Sequence, residues 1–168
     1  MRFLPLALLA ALCALLAFGM MRDRTAPPTS PMVGKKLPEV MLGGKSLQQS
    51  VDGRVAIINL FASWCAPCAL EHPALMRIKE KNIAPIIGIA WKNKPEDVMK
   101  WLNRRGIPYK AILMDEQGAA TLPLALTGVP ETFVVGKGGV IAYHTSQPLS
   151  DAVVVQEIIP LVERLQQQ

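Results

Sequence analysis

Two cysteines stand three positions apart in Ser63-Trp64-Cys65-Ala66-Pro67-Cys68, directly after the apolar run Val55 to Ala62. Cysteines at i and i+3 of a helix share a face, so their sulfurs can bond to each other. If that helix opens at Cys65, its unpaired N–H groups and positive end favour a thiolate at the first cysteine. Pro67 suits the first helical turn, where its missing N–H removes no bond. Such a pair performs thiol–disulfide exchange: the outer thiolate attacks a target disulfide, and the inner thiol then releases the mixed disulfide. Cys65 is the candidate nucleophile and Cys68 the resolving thiol, and the redox-active disulfide is the only cofactor this chemistry needs.

Other chemistries fit less well. Cys65, Cys68 and His72 could supply three zinc ligands, but a closed structural site needs a fourth and the sequence has no second CxxC. The only other histidine, His144, lies far along the chain. A peroxidatic cysteine would want a threonine three residues earlier, where Ala62 stands. The methionines are scattered without spacing, which gives copper carriage no support of its own; the expectation is no metal. GGKS, ending at Ser46, lacks the glycine that a phosphate loop places five before Gly44, since Glu39 is there.

The elements that must position the pair follow from periodicity. Val55 to Ala62 is a continuous apolar run suited to a strand buried on both faces, and a helix from about Ala66 to Glu80 follows it, with a kink expected at Pro73. Ile86 to Trp91 and Ala111 to Met114 read as further strands. Between them, PEDVMKWLNRRG has Pro95 and two acids at its start and two arginines and Gly106 at its end, as helix termini prefer. TFVVG and VIAYH flank Lys137-Gly138-Gly139 as a hairpin, and a last helix runs from about Asp151 to Leu165 with Pro160 bending it or starting its second half. Strands alternating with helices imply an α/β fold with parallel strands, to which the hairpin adds antiparallel ones. The expected sheet is mixed, with helices on both faces.

The N-terminal segment has a different character. Phe3 to Met21 is nineteen residues without a charge, roughly 28 Å of helix at about 1.5 Å per residue, close to the ~30 Å hydrocarbon core of a bilayer. A cleaved signal peptide is the rival reading, but GMMRDR after the run offers no small-x-small cleavage site. A lipoprotein reading of Cys13 meets Leu12 where a small residue is expected. The expected organisation is an anchor over residues 1–24, a proline-rich tether over 25–31 and one domain over 32–168. The charge count of +5 is spread along the chain with few aromatics near it, which argues against nucleic acid as a partner.

Taken together, VAIINLFASWCAPC and, some sixty residues later, GVPETF resemble the active-site turn and the cis-proline loop of thioredoxin-like proteins. More narrowly, Glu71, Glu131 after Pro130, the VGKKLPEV opening, the EIIPLVERL tail and the N-terminal anchor are similar to the membrane-anchored DsbE/CcmG type, the thiol:disulfide interchange proteins of cytochrome c biogenesis. The resemblance implies a thioredoxin-like fold on the periplasmic side of the bacterial inner membrane, anchored once through residues 3–21. It implies a reductase of the CXXCH disulfide of apocytochrome c, or of a maturation partner carrying it, supplied by a transmembrane donor of the DsbD/CcdA type. Pro130 would be cis beside Cys65, leaving the Val129 backbone to pair with an extended substrate, and Trp64 would pack as a lid beside the sulfurs.

Asn59 departs from thioredoxin itself, which carries a buried aspartate six before its first cysteine. Asparagine cannot take a proton, so Glu71 or Glu131 is the expected base for Cys68. A carboxylate there would also raise the Cys65 pKa against the helix terminus. Trp91 stands where a tyrosine is expected in this family. The alternatives are another anchored periplasmic reductase, for example one serving the copper-site cysteines of an oxidase, and a non-catalytic metal- or haem-handling module.

Overall fold

A computed structural model of the protein describes residues 30–168; the proposed membrane span at residues 3–21 and most of the tether lie outside them. Among the described residues no helix is long and apolar enough to cross a membrane.

The apolar runs form the centre of the molecule. Strand β3 (Ala56–Phe61) is buried along its whole length, and so are five of the six residues of β4 (Ile86–Trp91). They lie in a five-stranded sheet of order β5-β4-β3-β6-β7, with β5 at Ala111–Asp115, β6 at Glu131–Val135 and β7 at Ile141–Thr145. β3, β4 and β5 run parallel, while β6 is antiparallel to both β3 and β7. A separate hairpin pairs β1 (Met41–Leu42) with β2 (Lys45–Ser46) and leads into the one-turn helix α1 (Leu47–Val51).

Helices stand on both faces, but unevenly. α2 (Ala66–Glu80) and α3 (Pro95–Arg105) both cover the face that carries Ile57, Phe61 and Val134. The steps β3 to β4 and β4 to β5 move the same way across the sheet, and right-handed crossovers then put both helices on one side. The C-terminal stretch joins them there through Val154, Ile158 and Val162. It comprises α4 (Asp151–Val153), a π-helical turn (Val154–Ile158) and α5 (Ile159–Gln167). Pro160, expected to bend this helix, stands in the first turn of α5, just after the wider turn. The opposite face, with Ile58, Leu60, Ile89 and Phe133, is closed by the β1–β2 hairpin, α1, Leu124 and the entering segment at Met32 and Leu37. That segment lies along β7: Gly34 N–H donates to Ile141 O at 2.8 Å, and Ile141 N–H to Lys35 O at 2.9 Å.

Candidate active site

After β3 ends at Phe61, three residues carry the chain to Cys65, which caps α2. Its extended backbone (φ −88°, ψ 108°) folds the side chain over the helix start, where Sγ accepts the Cys68 N–H at 3.1 Å. One of the unpaired donors of the helix terminus is thereby aimed at sulfur, an arrangement that favours a thiolate in the reduced pair. The two sulfurs form a disulfide, with the Cα atoms 5.3 Å apart. Both cysteines are buried, Cys65 keeping 5% of its surface exposed and Cys68 only 1%.

Beside them Trp64 is exposed, with its Nε1 donating to Lys92 O at 3.2 Å and its ring 6.2 Å from that of Trp91. Trp91 Nε1 in turn donates to Thr121 Oγ1 at 3.0 Å, and Ser63 N–H donates to Asn93 Oδ1 at 2.5 Å. The turn before the cysteines is therefore pinned to the segment that follows β4.

The Val129–Pro130 peptide bond is cis. Because Leu60 pairs with Glu131, the antiparallel register sets this loop beside the end of β3 from which the cysteine turn leaves. Val129 is half-buried and packs against the core cluster that includes Cys65 and Cys68. Among the described residues, no backbone–backbone hydrogen bond uses its N–H or C=O.

Glu71 lies three residues beyond Cys68 on α2 and has no exposed surface. Its Oε1 accepts from Asn59 Nδ2 at 2.8 Å and its Oε2 from Leu149 N–H at 2.9 Å. Asn59 is held in turn by Tyr109, whose hydroxyl donates to Oδ1 at 2.9 Å, and gives a second Nδ2 bond to Thr132 Oγ1 at 3.0 Å. Burial pushes the Glu71 carboxyl up to about 7, more than the two hydrogen bonds pull it down. Burial also lifts the Tyr109 hydroxyl well above its usual range, with the Glu71 charge adding to it.

Glu131 is equally buried but differently furnished. Its Oε1 accepts from Thr127 N–H at 2.6 Å, Thr127 Oγ1 at 2.8 Å and Gly128 N–H at 3.0 Å, while Oε2 faces His144 Nε2 at 2.8 Å. Burial raises this carboxyl, but the bonds from His144, Thr127 and Gly128 together outweigh it and hold the group below its ordinary value. The carboxylate thus closes the loop that leads into Pro130.

His72 does not join the cysteines. Its Nε2 meets Gly106 O at 3.1 Å and its ring packs edge-on against Trp101. Burial holds the imidazole below its usual pKa, and the Arg105 charge adds to this, against hydrogen bonds that the ring donates to the Gly106 and Arg105 backbone carbonyls. Among the described residues no group of three metal-ligating side chains converges.

The structure gathers several residues that sequence reasoning passed over. Tyr109, Thr132 and the Leu149 N–H surround the Asn59–Glu71 pair, and His144 stands against Glu131. Thr132 lies within the GVPETF motif, the one signal that marks it. Leu149 offers none, since a backbone N–H is not written in a side chain.

A disulfide at the head of a helix, a cis-proline loop at its flank and a mixed sheet beneath define a thioredoxin-like thiol:disulfide oxidoreductase. Residues 24–158 match the Redoxin family. The chain is 36% identical to the thiol:disulfide interchange protein DsbE of Allochromatium vinosum, over 97% of this chain and 93% of that protein. It is 35% identical to the thiol:disulfide interchange protein HelX of Rhodobacter capsulatus, over 95% and 94%. The fold is similar to the crystal structure of a putative DsbE from Chlorobium tepidum, with TM-score 0.68 and 21% identity over 77% of this chain and 97% of that one. The chain belongs to the DsbE family of thiol:disulfide interchange proteins, within the redoxins.

Proposed function

We propose that this protein reduces the disulfide of the CXXCH haem-attachment site in apocytochrome c, or of a maturation partner that carries it, before haem is attached. The observation that carries the chemistry is the Cys65–Cys68 disulfide at the head of α2 with the buried Glu71 carboxyl three residues beyond Cys68 on the same helix. In the reduced protein the Cys65 thiolate attacks one sulfur of the substrate disulfide, and the other substrate sulfur leaves as a thiolate. Cys68 gives its proton to Glu71, attacks the Cys65 sulfur and releases the second substrate thiolate. Two electrons pass to the substrate, whose two thiolates take up two protons, and the Cys65–Cys68 disulfide remains.

In this reading Glu71 is the base, Glu131 shapes the capture loop, and Val129 and Pro130 receive an extended substrate strand with Trp64 beside it. Similarity to DsbE and HelX proteins over nearly the full length supports the assignment to cytochrome c maturation. The same reading has the domain in the periplasm on an inner-membrane anchor through residues 3–21, with a transmembrane donor of the DsbD/CcdA type returning the pair to its reduced state.

The test is a trap. Full-length Cys68→Ser attacks through Cys65 but cannot release, so its substrate stays covalently bound in membranes. Apocytochrome c or a cytochrome-maturation thiol protein is the expected capture. Recovery of an oxidase copper-site protein, or of a broad set of exported proteins, would overturn the substrate while keeping the chemistry.

A further inference from the structure

His144 is the residue whose surroundings exceed what the strand beneath it requires. Its side chain is 9% exposed and its ring lies flat on Phe133, with centroids 4.1 Å apart and planes inclined by 7°. Both ring nitrogens are engaged. Nε2 faces Glu131 Oε2 at 2.8 Å, and Nδ1 faces Ser30 Oγ at 2.5 Å.

These contacts order into one directional relay. Ser30 Oγ accepts the Met32 N–H at 3.2 Å, which leaves its proton for His144 Nδ1. Nε2–H then donates to Glu131, whose other oxygen holds the Thr127 and Gly128 N–H groups. Every donor finds an acceptor with the imidazole neutral, and a charged ring keeps both contacts with Ser30 turned to accept. Glu131 is the charged group within hydrogen-bond reach of the ring among the described residues.

We propose that His144 is a positioning residue for substrate capture: held by Ser30 at one nitrogen and Glu131 at the other, it locks the Thr127–Pro130 loop to the segment through which the chain enters the domain. The residue touches neither the sulfurs nor the substrate. It acts through Glu131, which fixes the backbone just before Val129, where the proposed substrate strand pairs. The inference rests on that capture reading but not on the identity of the substrate.

The prediction is a split between capture and chemistry. Reduced full-length protein in detergent micelles is mixed with rising concentrations of a disulfide-closed CXXCH peptide, and separately with dithiobis(nitrobenzoate), too small to need the loop. His144→Ala is expected to raise the half-saturating peptide concentration about tenfold while the plateau rate and the rate with the small disulfide change less than about twofold. His144→Gln, whose amide still donates to Glu131, should recover most of the loss. An unchanged half-saturating concentration in folded His144→Ala overturns the proposal, as does an equal loss of rate with both disulfides. If His144→Ala does not fold, His144→Gln and Ser30→Ala decide. The proposal expects near-normal saturation in the first and a rise of about threefold in the second, and the reverse order overturns it. A second closed peptide of unrelated sequence separates the two readings. If wild type reduces both peptides equally, the substrate assignment fails, while a His144 effect on both upholds the present inference.

Discussion

Glu71 and Glu131 are the same residue type, both without exposed surface, on opposite faces of one sheet, yet their acidities move in opposite directions. Glu71 receives one amide and one backbone N–H. Glu131 receives three donors on a single oxygen and an imidazole on the other. Burial disfavours the charge at both, so the donor count decides. A carboxyl with two donors stays close to neutral pH and can exchange a proton, whereas one with four is a fixed anion that organises backbone.

The largest expected effect comes from emptying the better-furnished site. Glu131→Ala leaves the Thr127 and Gly128 N–H groups and His144 without their acceptor, and should cost roughly 4 kcal/mol in denaturant unfolding at pH 7. A loss under about 1 kcal/mol would mean that water replaces the carboxylate and that the two glutamates are not distinguished by their donors.

The pH dependence of stability sharpens the same contrast. Glu71 has its folded pKa raised to about 7 from 4.5, so its contribution is fully present below pH 4.5 and is lost as pH rises through 7. That loss amounts to roughly 3 kcal/mol and should vanish in Glu71→Gln. Glu131, with its folded pKa depressed, contributes above pH 4.5 and loses its contribution as pH falls through the folded value. Urea midpoints from pH 3 to pH 9 should therefore show a fall as pH rises from 4.5 through 7 that belongs to Glu71, and one as pH drops below 4.5 that involves Glu131.

Kinetics separates the pair last and most finely. Resolution of a Cys65 mixed disulfide should slow about a hundredfold in Glu71→Gln near pH 7, the usual scale of general base catalysis, and less than about threefold in Glu131→Gln. Equal slowing of both would assign the proton transfer to neither alone.

Much of this arrangement was legible beforehand. β3, α2, α3 and the β6–β7 hairpin follow from apolar runs and helix-end chemistry, because those signals are local. The cysteine pair and the cis-proline loop carry their own residue types. The environment of the glutamates was not legible, because it is assembled from distant parts: Leu149 N–H reaches Glu71 from 78 positions away and Tyr109 reaches Asn59 from 50. His144 lies 76 positions after Cys68, and only the pairing of β7 with β6, which sets it opposite Phe133, brings it to Glu131. The uneven cover of the sheet was hidden for a related reason. The β1–β2 hairpin and α1 are too short for periodicity to show which face they close.

The run of residues 30–37 along β7 has a consequence for how the protein is made. Ser30 and its partner His144 are 114 positions apart. During synthesis the first part of the domain emerges long before the strand it must lie on exists. The parallel strands β3 to β5 can assemble early, but the face closed by Met32 and Leu37 stays open to water until nearly the last strand arrives. A chain halted before Ile141 therefore leaves the part of that face under Met32 and Leu37 open to proteases and chaperones, although the β1–β2 hairpin, α1 and Leu124 are already made. The completed fold is sealed where its beginning meets its end.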